Sequence, residues 1–233
     1  MPFSTPLIKA QPYPWPHKGG IDTSNTALVV IDMQRDFCEE GGYLSSQGYS
    51  IAPTRAIIPR IQSVLTAFRA FGFPIYHTRE GHRPDLSTLS SRELARSRNF
   101  STVGGIGDAG PLGRLLIRGE AGHDTIPELY PLAGEPVVDK PGKSAFQYTD
   151  LRLLLDVKGV RNLVICGVTT DVCVSTTMRD ANDLGFECLL VEDACAAGLG
   201  ELHDAAVKMV IQEGGIFGAV TTTAAILEKI GFD

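Results

Sequence analysis

Short apolar runs alternate with helical patterns along most of this chain, and this alternation restricts the fold more than any other feature. Each apolar run has the length of a strand buried on both faces, and the segments between the runs carry apolar residues at helical spacing. The predicted strands are 27–31, 73–76, 136–138, 163–166, 188–191 and 215–219, and the predicted helices are 59–71, 149–157, 171–184, 201–213 and 224–230. Strands joined by helices form a parallel sheet covered on both faces. We therefore expect a three-layer, doubly wound α/β fold with about six mainly parallel strands.

Two segments depart from this alternation. Residues 1–24 are rich in Pro and Gly, which prevents a regular helix, so we expect an arm that lies over the domain or over a partner subunit. Residues 81–132 are dense in Gly, Pro, Arg and Ser. An insertion of this length inside a compact domain is typically functional, disordered or part of a subunit contact. The chain is thus predicted to consist of an arm, 1–24, and one domain, 25–233.

Composition excludes several classes of function. The 233 residues include 21 Lys plus Arg and 27 Asp plus Glu, a net charge of -6, which argues against binding nucleic acid or an anionic membrane. The 5 cysteines cannot all pair and none has C-x-x-C spacing, so neither a disulfide framework nor a zinc ribbon is indicated. The first residues lack the pattern of a signal peptide, and we expect a reducing, cytoplasmic location.

The most informative stretch passes from an apolar strand into a helix start and contains Cys173. It reads Leu163-Val-Ile-Cys-Gly-Val-Thr-Thr-Asp-Val-Cys173. The backbone N–H groups and the dipole of a first helical turn favour an anion, so we expect a lowered pKa for this thiol. Because a thiolate is the reactive form, Cys173 is the candidate nucleophile. The alternative is a small buried hydrophobe, which is our interpretation of Cys166 and Cys188.

Two charged residues follow other predicted strands. Asp32 ends the first strand, where a carboxylate is unfavourable unless it is paired, caps a turn or takes part in catalysis. Lys140 follows the third strand, and its alternative is a solvated loop lysine. The carboxyl ends of parallel strands meet at one edge of a sheet, so Asp32, Lys140 and Cys173 are expected to converge on one crevice. Their chemistry is complementary: a thiol to attack, a carboxylate to accept its proton and an ammonium to stabilise the charges.

The motifs at 30–37, 140–146 and 167–174 resemble those of the isochorismatase-like cysteine hydrolases, from about residue 25 to the C-terminus. The resemblance implies a catalytic triad of Asp32, Lys140 and Cys173. It also implies a cis peptide bond between Val168 and Thr169 and an oxyanion hole formed by the backbone N–H groups of Thr169 and Cys173. It further implies a homo-oligomer, a tetramer, and a reaction that needs no cofactor.

Within this family, the stretches at 12–16, 77–86, 105–110, 126–131 and 139–143 resemble biuret hydrolases and similar ureido-amide hydrolases. This resemblance implies that Phe37 and Lys143 contact a small-molecule ureido substrate. Biuret hydrolases have Gln-Gly-Gly where this chain has Glu213-Gly214-Gly215, with its own Gln212 one place earlier. Glu213 would replace an amide with a carboxylate at that contact. The choice among biuret, triuret and ureidoacrylate is therefore open.

Other chemistry is less well supported by the sequence. The G-x-G-x-x-G pattern at 105–110 follows no predicted strand, so no dinucleotide site is expected. Nicotinamidases of the same family bind a metal through Asp and His, but no Asp stands two residues before His77, and we expect no metal here. A Cys–His dyad with His77, His82 or His203 is an alternative route to a thiolate. A binding or scaffolding protein with a decayed site is the alternative of a different class.

Overall fold

The computed structural model of this chain describes residues 7–99 and 104–232. Residues 1–6 of the predicted arm, residues 100–103 of the predicted insertion and Asp233 lie outside the described residues. The strands are β1 Thr26–Ile31, β2 Ile75–Glu80, β3 Ala109–Gly110, β4 Gly113–Arg114, β5 Val137–Lys140, β6 Asn162–Val168, β7 Glu187–Ala196 and β8 Ala219–Thr221. The helices are α1 Arg35–Cys38, α2 Tyr43–Ser46, α3 Ala52–Ala56, α4 Ile58–Ala70, α5 Ser91–Arg98, α6 Leu151–Val157, α7 Ser175–Asp183, α8 Gly200–Ile211 and α9 Thr223–Ile230.

Six strands form one parallel sheet in the order β5-β2-β1-β6-β7-β8, flanked by helices. The predicted α/β fold is confirmed. Strands β3 and β4 form a separate antiparallel hairpin inside the insertion. From β1 the chain proceeds outward on one side of the sheet, and from β6 it proceeds outward on the other. The switch point of the topology therefore lies between β1 and β6, where α/β sheets place their ligands.

The helices follow local signals in the sequence. In α4, Pro59 occupies the first turn, where its missing N–H is not needed, and apolar side chains at helical spacing are buried. Helix α9 begins after Thr222, whose side chain accepts a hydrogen bond from the Ala225 N–H, and ends at Gly231 in the left-handed conformation. None of the helices in the described ranges is both long and apolar enough to cross a membrane.

Several predicted boundaries are wrong, and the reasons are structural. Strand β2 runs to Glu80 rather than Tyr76, because its carboxyl end is buried despite its polar residues. The last strand is Ala219–Thr221 rather than 215–219, because Gly215 and Gly218, with φ of 102° and 124°, belong to a turn. The helix predicted at 171–184 is divided into a wide π-helical turn, Thr170–Val174, and α7.

Gly167 is required where β6 reaches the switch point. Its φ is +116°, and a Cβ atom at this position would lie 2.1 Å from the carbonyl oxygen of Ile31. A side chain is therefore excluded by both conformation and space. The missing side chain lets the carboxyl ends of β1 and β6 approach closely, so that the residues after them face each other.

Candidate active site

Asp32, Lys140 and Cys173 come together at the switch point. Lys140 is the last residue of β5, Asp32 follows β1, and Cys173 lies in the wide turn after β6. The Lys140 Nζ atom is 2.7 Å from Asp32 Oδ2, and both side chains are fully buried. The Thr78 hydroxyl donates to Asp32 Oδ1 at 2.7 Å, and Asp32 has a φ of +51°, an unusual conformation for a non-glycine residue. Parallel strand ends thus bring distant residues to one place.

A fourth residue, Glu80, which was not among the predicted site residues, completes the buried cluster. The Cys173 thiol donates to Glu80 Oε2 at 3.2 Å. Lys143 Nζ lies 2.6 Å from Glu80 Oε1, and Lys140 Nζ lies 3.6 Å from Glu80 Oε2. The predicted end of β2 at Tyr76 left Glu80 in a loop. The pairing of β2 with β1 places Glu80 at the site. Thr78 pairs with Ile31, so Glu80 lies just beyond the end of β1.

The surroundings of Cys173 favour the protonated thiol, contrary to our expectation. Burial raises the pKa of Cys173 well above its usual value; Lys140 and Lys143 oppose this increase, while Glu80 and Asp32 add to it. The prediction of a lowered thiol pKa is therefore wrong. Its physical reason is that the sulfur lies in a buried turn beside two carboxylates, where desolvation outweighs the effect of a helix start. If Cys173 is the nucleophile, as the sequence predicts, its activation requires proton transfer to a neighbouring base.

The two carboxylates of the cluster differ in proton affinity. Burial raises the pKa of Asp32, and the adjacent Lys140 only partly offsets this effect. Burial acts in the same direction on Glu80, but the ammonium groups of Lys143 and Lys140 outweigh it and lower the pKa of Glu80. Asp32 is therefore the better proton acceptor, while Glu80 stays ionised. Pairs of carboxylates with divergent pKa values are typical of acid–base chemistry.

The wide turn presents backbone groups beside the thiol. The Val168–Thr169 peptide bond is cis. The Thr169 carbonyl accepts hydrogen bonds from the N–H groups of Val172 and Val174, each at 3.1 Å, which holds the turn around Cys173. Thr169 and Cys173 both line the adjacent cavity. The role of their N–H groups as an oxyanion hole stays a prediction.

A cavity of about 310 Å³ opens onto the cluster. Two predicted substrate contacts, Phe37 and Lys143, line it together with Glu80 and Arg96. The other two, Gln212 and Glu213, do not line it. They occupy a short 3₁₀ turn before Gly215, which packs against Pro12 and Tyr13 of the arm. Neither residue lines the cavity of this chain, and the substrate contact through Gln212 or Glu213 stays a prediction.

The cluster also bears on the question of a metal. Asp32, Glu80 and Cys173 each offer a ligand atom, and the three atoms lie within 4.8 Å of one another. Lys140 Nζ, however, lies 2.7 Å from Asp32 and 3.6 Å from Glu80 and supplies a positive charge at this position. A cation among these ligands would have to compete with a buried ammonium group. The donor set therefore fits a charge-paired thiol site better than a metal site.

The remaining histidines and cysteines have other surroundings. His77 contacts Glu135 at 2.9 Å, and His203 Nδ1 lies 2.9 Å from the Thr170 hydroxyl. His82 Nδ1 lies 3.2 Å from the Thr88 hydroxyl. The other free cysteines are buried, and burial raises their pKa values; these are Cys38, Cys166, Cys188 and Cys195. The charged cluster thus distinguishes Cys173 from the other cysteines.

Comparison with known proteins agrees with this architecture. The family described as Isochorismatase domain matches residues 26–225. Ureidoacrylate amidohydrolase RutB of Acinetobacter baylyi is 33% identical over 206 residues, 87% of this chain and 82% of that protein. Its counterpart in Yersinia enterocolitica is 32% identical over 191 residues, 81% of this chain and 80% of that protein. The crystal structure of a cysteine hydrolase from Pseudomonas syringae pv. phaseolicola 1448A superposes with a TM-score of 0.78 and 28% identity, covering 98% of both chains. The chain is a member of the isochorismatase family.

Proposed function

We propose that the protein is a cysteine amidohydrolase that cleaves a C–N bond of a small linear ureido amide of the biuret or triuret type and releases ammonia. The observation that carries this proposal is the buried group of Cys173, Asp32 and Lys140, of which Cys173 lines a small cavity. The names of the related proteins support hydrolysis of a ureido compound. The cavity of about 310 Å³ suits a substrate of a few heavy atoms.

The proposed reaction has two halves. Asp32 accepts the thiol proton, the sulfur of Cys173 forms a bond to the carbonyl carbon, and the carbonyl π electrons move to oxygen. The N–H groups of Thr169 and Cys173 bind this oxyanion, a contribution of roughly 3 kcal/mol per donor in other acyl transfers. The oxyanion collapses, the C–N bond breaks, and the nitrogen takes the proton from Asp32 and leaves as ammonia. Water then opens the thioester with the same carboxylate as base, and the thiol regains its proton.

Lys140 has an electrostatic role in this scheme. Although burial lowers the pKa of its ammonium group, Asp32, Cys173 and Glu80 raise it above its usual value. Lys140 therefore stays charged throughout the reaction. Its positive charge stabilises the thiolate and the ionised Asp32 at different stages.

A second candidate substrate is ureidoacrylate, which carries a carboxylate. Two cations, Lys143 and Arg96, line the cavity. Arg96 belongs to α5 of the insertion, and its side chain is 45% exposed, so a substrate carboxylate is able to reach its guanidinium group. Biuret and triuret have no charge for this contact. The same cavity thus supports two substrates that differ in charge.

The test is steady-state kinetics of the full chain on biuret, triuret, ureidoacrylate, nicotinamide and N-carbamoyl amino acids. We expect ammonia release from a linear ureido compound with a kcat/KM well above that for nicotinamide. Cys173→Ala should abolish turnover, because no other group forms the acyl intermediate, whereas Cys166→Ala should retain it as a matched control. An active Cys173→Ala protein contradicts the mechanism, and no ammonia from any ureido compound contradicts the substrate class.

A further inference from the structure

Glu80 combines three properties that the proposed mechanism does not use. Its side chain is buried, it lines the cavity, and its Oε2 atom accepts the hydrogen bond of the Cys173 thiol at 3.2 Å. Lys143 holds the other carboxylate oxygen at 2.6 Å, and the two ammonium groups of Lys143 and Lys140 keep Glu80 ionised. An ionised carboxylate accepts hydrogen bonds and donates none. Glu80, which lies beside the candidate nucleophile, therefore favours substrates that carry N–H or O–H donors.

We propose that Glu80 determines specificity by accepting a hydrogen bond from the N–H groups beside the scissile carbonyl, and that this contact displaces the thiol from Glu80. This inference rests on the proposed cysteine amidohydrolase function and names the feature of the substrate that the site recognises. That feature is an unsubstituted ureido or carbamoyl nitrogen. An ester oxygen at the same position has no hydrogen to donate and faces a buried anion.

Glu80 and ureido compounds are chemically complementary. Ureido compounds carry several N–H donors around each carbonyl carbon. A substrate carbonyl within reach of Cys173 Sγ brings its own nitrogen close to Glu80, because Glu80 Oε2 is 3.2 Å from that sulfur. Burial strengthens a charge-assisted hydrogen bond and penalises a substrate that leaves the carboxylate without a donor. The same contact therefore favours the amide and disfavours the ester.

Two carboxylates and two ammonium groups surround the sulfur of Cys173. Asp32, Glu80, Lys140 and Lys143 all act on the thiol. At rest, the S–H bond points to Glu80, which is the weaker base of the two carboxylates. Once a substrate N–H occupies Glu80, the thiol proton has Asp32 as its remaining carboxylate acceptor among these four residues. The proton then moves from sulfur to Asp32, the sulfur electron pair forms the bond to carbon, and the reaction proceeds as described above. Substrate binding and thiol activation are thus coupled through one side chain.

Thiol reactivity tests the first half of the inference. Methyl methanethiosulfonate is a neutral thiol reagent without N–H groups. Its rate of reaction with Cys173 is measured at a series of pH values by mass spectrometry of the intact protein. Cys173→Ala gives the background reaction of the other cysteines. Glu80→Gln should lower the midpoint of this profile by about one pH unit or more, because it removes a negative charge and an acceptor beside the thiol. Glu93→Gln makes the same chemical change at the other carboxylate of Lys143, 3.1 Å from Nζ, and should leave the midpoint unchanged.

Turnover tests the second half. Biuret is compared with allophanate methyl ester, in which a methoxy group replaces one terminal NH₂. Ureidoacrylate is compared with the carbamate in which a methoxy group replaces the NH₂ of its ureido group. Methanol release measures cleavage at the methoxy-bearing carbonyl, and ammonia release measures cleavage of the amide. Glu80→Gln should lower kcat/KM for the amide about tenfold more than for the ester, since the lost contact is a hydrogen bond to a charged group. A purely structural effect would lower both values together and would not make the thiol more reactive.

The variants separate failure of this inference from failure of the proposed function. An unchanged thiol profile, or equal losses for amide and ester, would overturn the role of Glu80 even if the wild-type protein hydrolyses ureido compounds. No hydrolysis by the wild-type protein would instead reject the proposed function. If Glu80→Gln does not fold, Glu80→Asp retains the charge but shortens the reach. It should keep the wild-type thiol midpoint to within about half a pH unit and still lose amide turnover, and retained amide turnover contradicts the inference.

Discussion

At the scale of single residues, the site depends on two buried carboxylates that play different parts. Asp32 is paired with Lys140 and Thr78, and its pKa is raised because burial outweighs these partners. Glu80 lies between two ammonium groups, and its pKa is lowered. The same side-chain chemistry thus has a raised pKa at one position and a lowered pKa at the other, which favours Asp32 over Glu80 as a proton acceptor. Residue type alone does not distinguish these two roles.

Replacement of Asp32 tests the role of the base. Asp32→Asn should lower kcat about 100-fold or more, because general base catalysis contributes about 10² to 10⁴ in other enzymes. The measurement is kcat for ammonia release from the best substrate, with thermal unfolding to verify the fold. Asp150→Asn is the matched control and should retain activity. Asp150 is exposed, and although it precedes α6, its side chain makes no capping hydrogen bond to that helix. A loss of less than about threefold in Asp32→Asn would remove Asp32 from the role of base.

At the scale of elements, the end of β2 and the turn after β6 position the residues of the site, and the sequence-based boundaries are inaccurate at both places. A polar strand end such as His77 to Glu80 looks like a loop when only apolar runs are counted. The wide turn Thr170–Val174 has no propensity signal that separates it from the first turn of α7. Its shape depends on contacts with β6 and α8. Local patterns therefore identify the elements but not their ends.

Gly167 allows a test at this scale. Gly167→Ala should lower the free energy of unfolding by about 1–3 kcal/mol or more. The added Cβ atom would lie 2.1 Å from the Ile31 carbonyl oxygen, and a φ of +116° is unfavourable for alanine. Urea unfolding measures this change. Gly72→Ala is the matched control, since Gly72 also has a positive φ, +74°, but no atom lies within 4 Å of the added Cβ. Equal destabilisation by the two substitutions would contradict a close approach of β1 and β6.

At the scale of the whole molecule, the arm closes one edge of the sheet. Gln11 pairs with Val220 of β8 in an antiparallel bridge, with backbone hydrogen bonds of 2.9 and 2.8 Å. The backbones of Ile8 and Trp15 form hydrogen bonds with each other, and both side chains are buried in the core. Covering an exposed edge strand prevents unwanted pairing with another chain. We propose on this basis that the arm is a structural part of the fold, while the homotetramer expected from the family resemblance stays a prediction.

Removal of the Trp15 side chain tests the contribution of the arm. Trp15→Ala should destabilise the protein by about 3–5 kcal/mol, as expected for loss of a fully buried aromatic side chain. Leu7→Ala is the control, because Leu7 is 41% exposed and its removal should change the free energy of unfolding by about 0.5 kcal/mol or less. Both values come from urea unfolding. A change in Trp15→Ala as small as that in Leu7→Ala would show that the arm does not contribute to the stability of this domain.

The sequence by itself determined the parallel α/β sheet and the convergence of Asp32, Lys140 and Cys173. These follow from local periodicity and from a general property of parallel sheets, whose strand ends share one edge. Only the tertiary structure decided that Glu80 joins the cluster, that burial raises the pKa of the Cys173 thiol, and that Gln212 and Glu213 do not line the cavity. These properties depend on burial and on distances of a few ångströms between segments far apart in the chain. Desolvation and charge pairing act over those distances, and no local pattern in the sequence encodes them.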